Sequence, residues 1–180
     1  NELLKYKNLE VKGRLIQYIK IFNPIDFGFK KREFRKPVYL NKAVDISKNE
    51  FILFSDDDGV FSEGAIDQHY EALKIHHFSA GSIIRNRIIK KISKSILQGT
   101  NYAFRKKLYN SIGRYDENFV KSMGGGDVDF WYRLYNYIID NNLSAAFLPD
   151  ATQRVSPNSK RKKIFRNMDP RDYTVNKHKL

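Results

Sequence analysis

Phe51-Ile52-Leu53-Phe54 is the stretch that most limits what this chain can become: four bulky apolar residues in succession, running into Ser55 and Asp56-Asp57-Asp58-Gly59. An unbroken apolar run with no helical spacing predicts a short strand buried on both faces. The carboxylates then stand at its C-terminal end, the place where open α/β sheets hold their ligands. Three adjacent Asp side chains repel one another unless a cation sits among them. A divalent metal carrying a phosphate answers that repulsion, because Mg²⁺ and Mn²⁺ prefer carboxylate oxygen. Asp and Gly are also ordinary turn residues, so a plain polar turn stands beside the metal reading.

The rest of the chain alternates short strand-like and helix-like segments. Asn1 to Lys12 reads as a short helix or an arm, and Leu15 to Phe22 as a strand stopped by Asn23-Pro24. Phe27 to Lys36 is a basic, aromatic loop. Leu40, Ala43 and Val44 have helical spacing within a segment from Val38 to Ser47. Ser62 is positioned to N-cap a helix through about Ile75 that turns Ala65, Ile66, His69, Ala72 and Leu73 to one side. Phe78 to Ile84 predicts a strand. Arg85 to Lys94 carries five cationic side chains between isoleucines and reads as a strand edge or a loop over phosphate. A turn and strand at Gly99 to Phe104 lead into a helix from Arg105 to Ile112 that Gly113 stops. A helix from Asp127 to about Asn141 places Phe130, Leu134, Tyr137 and Ile138 toward a core, and Ala145 to Leu148 is a strand ended by Pro149. This alternation predicts an α/β fold with a mostly parallel sheet flanked by helices.

With 180 residues, 41% of them hydrophobic, the chain has material for one domain with a core. We expect that domain over 1–156, followed by a basic tail over 157–180 whose eight Lys/Arg face two Asp. The formal charge of +13 calls for an anionic partner: nucleic acid, an acidic membrane surface or a phosphorylated substrate. The absence of cysteine excludes disulfides, thiolate metal sites and Cys nucleophiles, and suits a reducing cytosol. No apolar run approaches the roughly 20 residues of a membrane span.

Gly124-Gly125-Gly126-Asp127 is the second stretch with residue types suited to chemistry. Glycines admit a ligand close to the backbone, and a carboxylate at a helix start is favoured in its charged form. Such a group suits a general base that takes a proton from a hydroxyl; a simple N-cap after a glycine loop is the structural alternative. Among the histidines His69, His76, His77 and His178, none has metal-ligand spacing with a carboxylate, and His76-His77 read as a helix end.

Taken together, these stretches resemble a GT-A glycosyltransferase of the large family 2, close to the galactosyltransferase C-terminal domain. Five segments carry the resemblance, in order, between about Leu15 and Ala151. Phe34-Arg35-Lys36 with Leu40-Asn41 resembles the nucleotide-binding segment after the third strand. Ser55-Asp56-Asp57-Asp58 resembles the DxD motif. Gly99-Thr100-Asn101-Tyr102-Ala103-Phe104-Arg105 resembles the strand beside the donor sugar, and Ile112 to Phe119 resembles the G-G-F-D-E-x-F segment. Gly125-Gly126-Asp127-Val128-Asp129-Phe130 with Arg133-Leu134 resembles G-E-D-x-D-L-x-x-R-L.

The resemblance implies that Asp58 binds Mn²⁺ or Mg²⁺ bridging the diphosphate of a nucleotide sugar, a UDP-sugar first of all, and that Asp56 stands at the same metal or faces the donor's ribose. It implies Asp127 as the base that activates an acceptor hydroxyl, with inversion at the anomeric carbon. Lys36, with Arg35, would lie near phosphate, and Asn41, Asp57, Gly99, Asn101, Gly125 and Gly126 near the donor. Asp129 and Arg133 would brace helix and loop, and Trp131 or Tyr132 would stack on a sugar or pack under the loop. The acceptor would be a carbohydrate or a lipid-linked carbohydrate, in polysaccharide or glycoconjugate synthesis. The enzyme would be cytoplasmic, or peripheral at the inner membrane face through its basic tail.

Three departures accompany the resemblance. Gly126 replaces the family's usual Glu. The usual metal His would fall in Ala151 to Val155, where Gln153 is the available oxygen donor. The family's first strands are missing, so we expect the domain to be partial at its N-terminus. Two readings from other classes remain: a basic, non-catalytic module for nucleic acid or an anionic surface, with nucleic acid the less expected partner, and a metal-dependent phosphoryl-transfer enzyme that leaves the glycine-Asp stretch unused.

Overall fold

The computed structural model describes residues 8–11, 14–17, 36–56, 59–85, 88–90, 99–121 and 125–155. They belong to two compact units, Asn1–Glu33 and Phe34–Leu180. In the first, β1 (Asn8–Val11) and β2 (Arg14–Gln17) form an antiparallel pair in the register Asn8↔Gln17 to Val11↔Arg14. Residues 8–11 are therefore extended where a helix or arm was expected. Pairing satisfies backbone groups that a lone arm leaves to water.

The second unit is a mixed α/β fold. Five of its strands run in the order β3 (Phe51–Phe54), β7 (Tyr102–Arg105), β5 (Phe78–Arg85), β8 (Ala145–Val155), β4 (Gly59–Phe61), and β6 (Ile88–Lys90) also pairs with β5. Among the described strand pairs, only β5·β8 is parallel. The pairs β3·β7, β5·β7, β4·β8 and β5·β6 are antiparallel. The expectation of a mostly parallel sheet is thus corrected. Strand–helix alternation signals α/β layering, but β7 slots in between β3 and β5 in the reverse direction, and nothing in local spacing encodes that.

Side chains alternate across the sheet. Phe54, Phe78, Ala80, Tyr102 and Phe104 join a core with Val44 of α1 (Lys36–Ile46), Leu108 and Tyr109 of α3 (Lys106–Ser111), and Phe130, Trp131 and Leu134 of α4 (Gly126–Asp140). On the other face Phe51 meets Tyr70, and Ser79 meets His69, both on α2 (Ala65–Ile75). The core is aromatic: Phe54 lies 4.9 Å from Phe104 and 5.4 Å from Tyr102, and Tyr115 stacks on Phe130 at 4.5 Å with 2° between planes. Trp131 belongs to this core, 5.9 Å from Phe78, so it is not a sugar platform.

Three local expectations change. β3 is an edge strand rather than one buried on both faces; only its last residue, Phe54, is fully buried. Ser62 does not cap α2, which starts after the left-handed Gly64; its hydroxyl accepts from the Thr152 N–H at 3.3 Å instead. Finally, β8 continues through Pro149 to Val155. Leu148 pairs with Gly81 and Thr152 with the next residue, Ser82, so residues 149–151 bulge out of the ladder. A proline at a bulge owes the sheet no N–H.

Candidate active site

The end of β3, the approach to β7 and the starts of α1 and α4 meet at one place. Asp56 follows β3, Gly99 and Thr100 precede β7, Lys36 opens α1, and Asp127 lies in the first turn of α4. The Lys36 ammonium donates to Asp56 Oδ1 and to the Gly99 carbonyl, each at 2.9 Å. It also stands 3.9 Å from Asp127 Oδ1. Two acidic residues from separate stretches thus share one cation. Side-chain exposure is 24% for Lys36, 28% for Asp56 and 33% for Asp127, so all three can be reached from solvent.

Close packing brings Asp127 in. A Cβ on Gly99 would overlap the Asp127 carboxylate, so glycine lets that carboxylate lie against the approach to β7. The left-handed Gly125, at φ 85°, starts the helix immediately before Gly126 and Asp127. Gly126 is buried, and a Cβ there would lie 3.6 Å from Phe119 and 3.8 Å from Pro37. The Asp127 carboxylate accepts the Tyr115 hydroxyl at 2.8 Å on Oδ1, and Tyr115 Oη in turn lies 2.6 Å from Tyr102 Oη.

A closed ring holds Asp56 from behind. The Asp56 N–H donates to Thr100 Oγ1 (2.8 Å), which donates to Gln153 Oε1 (2.6 Å). Gln153 Nε2 donates to Ser55 Oγ (2.7 Å), whose hydroxyl donates to the Asp56 carbonyl (2.9 Å). Gln153 is fully buried with oxygen and amide both engaged. Gln153, the oxygen donor available where the family has its metal His, accepts the Thr100 hydroxyl.

Asn101 and Asn41 are likewise used inward. Asn101 is fully buried at φ 59°, a left-handed conformation that Asn tolerates. Its amide donates to the carbonyls of Ser82 (2.7 Å) and Ala151 (2.8 Å), and its Oδ1 accepts from His69 Nε2 (2.9 Å). His69 is therefore the Nε2–H tautomer, with Nδ1 accepting from the Ser79 hydroxyl at 2.9 Å. Burial lowers its pKa below the usual 6.5, against a smaller opposing contribution from the Asn101 hydrogen bond, so it is held neutral. Asn41 donates to the Tyr115 carbonyl and to Glu117, and accepts from the Tyr109 hydroxyl and the Tyr115 N–H. Both asparagines, expected near a nucleotide sugar, tie the strand ends and helices that carry the site. The bracing expected of Asp129 and Arg133 is present: Arg133 donates to Asp129 Oδ2 at 2.6 and 3.0 Å and to the Ile112 carbonyl at 2.6 Å.

Asp57, Asp58, Gly124, Arg35, His178 and the tail from Pro157 lie outside the described residues. Among the described residues no group of three or more His, Cys, Asp or Glu is arranged to hold a metal ion. Asp56 nonetheless already presents a hard oxygen to a cation, and Asp57 and Asp58 follow it directly in sequence. That donor chemistry suits Mg²⁺ or Mn²⁺. A cavity of about 440 Å³ lies elsewhere, at the opposite ends of β3 and β7, walled by Glu50, Arg105, Lys107, Leu108, Tyr137 and Leu143. Its Arg105 is spent on Glu50 and on the carbonyls of Lys74 and His76.

Spacing assigns no chemical role to Tyr102, Tyr115, Thr100 or His69. Their signal is chemical: a buried hydroxyl or imidazole must find a polar partner. No helix among the described residues is long and apolar enough to cross a membrane. No protein-family model matches the chain, and no curated protein matches it.

Proposed function

We propose that this chain is a GT-A-like glycosyltransferase, moving a sugar from a nucleotide-sugar donor to a hydroxyl of a carbohydrate or lipid-linked acceptor, with inversion. The observation that carries the reading is the meeting of Asp56 and Asp127, about seventy positions apart in the chain, on the single ammonium of Lys36. The ordered run of family-like segments supports it. Asp127, partly exposed beside a glycine, accepts the proton of the attacking hydroxyl. Lys36 orients the donor diphosphate as a point charge, exchanging a carboxylate partner for phosphate. Asp58 and Asp56 would hold Mn²⁺ or Mg²⁺, whose charge offsets that building on the departing nucleoside diphosphate. Thr100 and Gln153 keep the Asp56 backbone in place. Peripheral binding at an anionic membrane surface through residues 157–180 fits the same reading.

Calorimetric titration with UDP, with and without Mn²⁺, tests the proposal. We expect Mn²⁺ to tighten UDP binding at least about tenfold and Asp58→Ala to remove that gain. Asp127→Asn should keep UDP binding and lower sugar transfer by roughly 10²–10⁴. UDP binding indifferent to metal and to Asp58→Ala, together with oligonucleotide binding that falls steeply with salt, would favour the basic binding module instead.

A further inference from the structure

We propose that Tyr115, backed by Tyr102, is a positioning residue for Asp127: the two buried phenols form a one-way hydrogen-bond chain that ends on Asp127 Oδ1 and leaves Oδ2 to take the acceptor's proton. This role rests on the reading of Asp127 as the base.

Proton counting sets the direction. An ionised carboxylate only accepts, so the 2.8 Å contact uses the single hydroxyl proton of Tyr115. The 2.6 Å contact between the phenols must then be filled by the proton of Tyr102. Tyr102 is 0% exposed and Tyr115 2% exposed. Burial raises both phenols well above their ordinary value of 10, so both remain O–H donors throughout the physiological range. The Tyr115 ring is clamped, stacked on Phe130 at 4.5 Å and tilted 6.1 Å from Phe54, and its N–H is fixed by Asn41 Oδ1. Its hydroxyl therefore holds the carboxylate from a rigid support. Asp127 Oδ2 lies against Gly99, in the space that a side chain there would fill. Among the described residues, Lys36 of α1 faces the carboxylate, with Asp56 beyond it.

A buried phenol needs a polar partner, and the partner here is the carboxylate proposed as the base.

The test uses the whole chain with Asp carboxyl carbons labelled, and follows the Asp127 resonance by NMR as pH is varied. Tyr115→Phe keeps the ring and removes the donor, so the carboxylate loses a bond that favours its charged form. We expect the titration midpoint to move up by about one pH unit, a tenfold change in the protonated fraction. Tyr115→Phe also orphans the buried Tyr102 hydroxyl, which destabilises the protein. The double variant Y102F/Y115F removes both hydroxyls, so it should regain stability while keeping the shifted midpoint. Tyr102→Phe alone should shift the midpoint by much less. A folded Y102F/Y115F protein whose Asp127 resonance titrates as in the unsubstituted chain overturns the proposal. The readout needs no turnover, so a chain that transfers no sugar would sink the enzymatic reading while this experiment still decides the hydrogen-bond role.

Discussion

Two polar clusters sit at the same strand ends and have opposite fates. Around Asn101, every donor and acceptor of the side chain is matched by Ser82, Ala151 or His69, and all of it is out of water. Around Lys36, the carboxylates of Asp56 and Asp127 share one ammonium and stay a quarter to a third exposed. The first is saturated and acts as structure. The second has unspent hydrogen-bonding capacity facing solvent, which chemistry on an incoming ligand requires. Charge and residue type alone do not separate the two, since the resemblance puts Asn101 and Asp56 side by side near the donor. Saturation does separate them.

The largest effect that would sharpen this contrast belongs to the saturated cluster. Asn101→Ala orphans two carbonyls and an imidazole N–H in the interior, at roughly 1–3 kcal/mol each before relaxation, so urea unfolding should report a loss of about 4 kcal/mol. A loss below about 1 kcal/mol would mean that water reaches the cluster and the distinction fails.

Next comes Gly99→Ala, where the added methyl must push the Asp127 carboxylate away. The cost should be about 1–2 kcal/mol in the same assay. A crystal structure of the variant should show the Tyr115–Asp127 bond broken; an intact bond would show that the approach is looser than the packing indicates.

A smaller, pH-dependent effect comes from His69. Its pKa is lowered on folding, so the unfolded chain binds a proton that the folded one refuses. The stability from a neutral His69 is complete above pH 6.5 and is lost as pH falls through the folded value. The slope cannot exceed about 1.4 kcal/mol per pH unit for one proton. Thermal melts of His69→Gln should lose this part of the acid sensitivity; an unchanged slope would place the titration elsewhere.

The smallest change in stability is expected at the open cluster. Lys36→Met removes ion pairs that are partly screened by solvent, so stability should move by less than about 1 kcal/mol. UDP affinity measured by calorimetry should nevertheless fall about tenfold if Lys36 meets the diphosphate. A large stability loss with unchanged UDP binding would put Lys36 in the structural class with Asn101.

Much of the helical content is legible locally. The apolar spacing of Phe130 and Leu134 places both in the core, and the ends of α3 and α4 fall close to Gly113 and Gly125, where a left-handed residue is needed. Local reading fails where two distant segments decide. Pro149 looks like a strand end until the register shift against Gly81 and Ser82 shows that β8 passes through it as a bulge. Ser62 looks like a cap until Thr152 claims its hydroxyl. Gln153 looks like a spare oxygen until Thr100 and Ser55 take both ends of its amide.

By itself, then, the order of residues determined the layered α/β class, the aromatic supply of the core, and two acidic stretches each set beside glycine, because periodicity and backbone freedom are properties of neighbouring residues. Only the tertiary structure decided the direction of β7, the meeting of Asp56 and Asp127 on Lys36, and the inward use of Asn41, Asn101 and Gln153. The physical reason is the same in each case: a hydrogen bond or ion pair is completed by a partner many positions away, and sequence spacing carries no record of which groups the fold brings into contact.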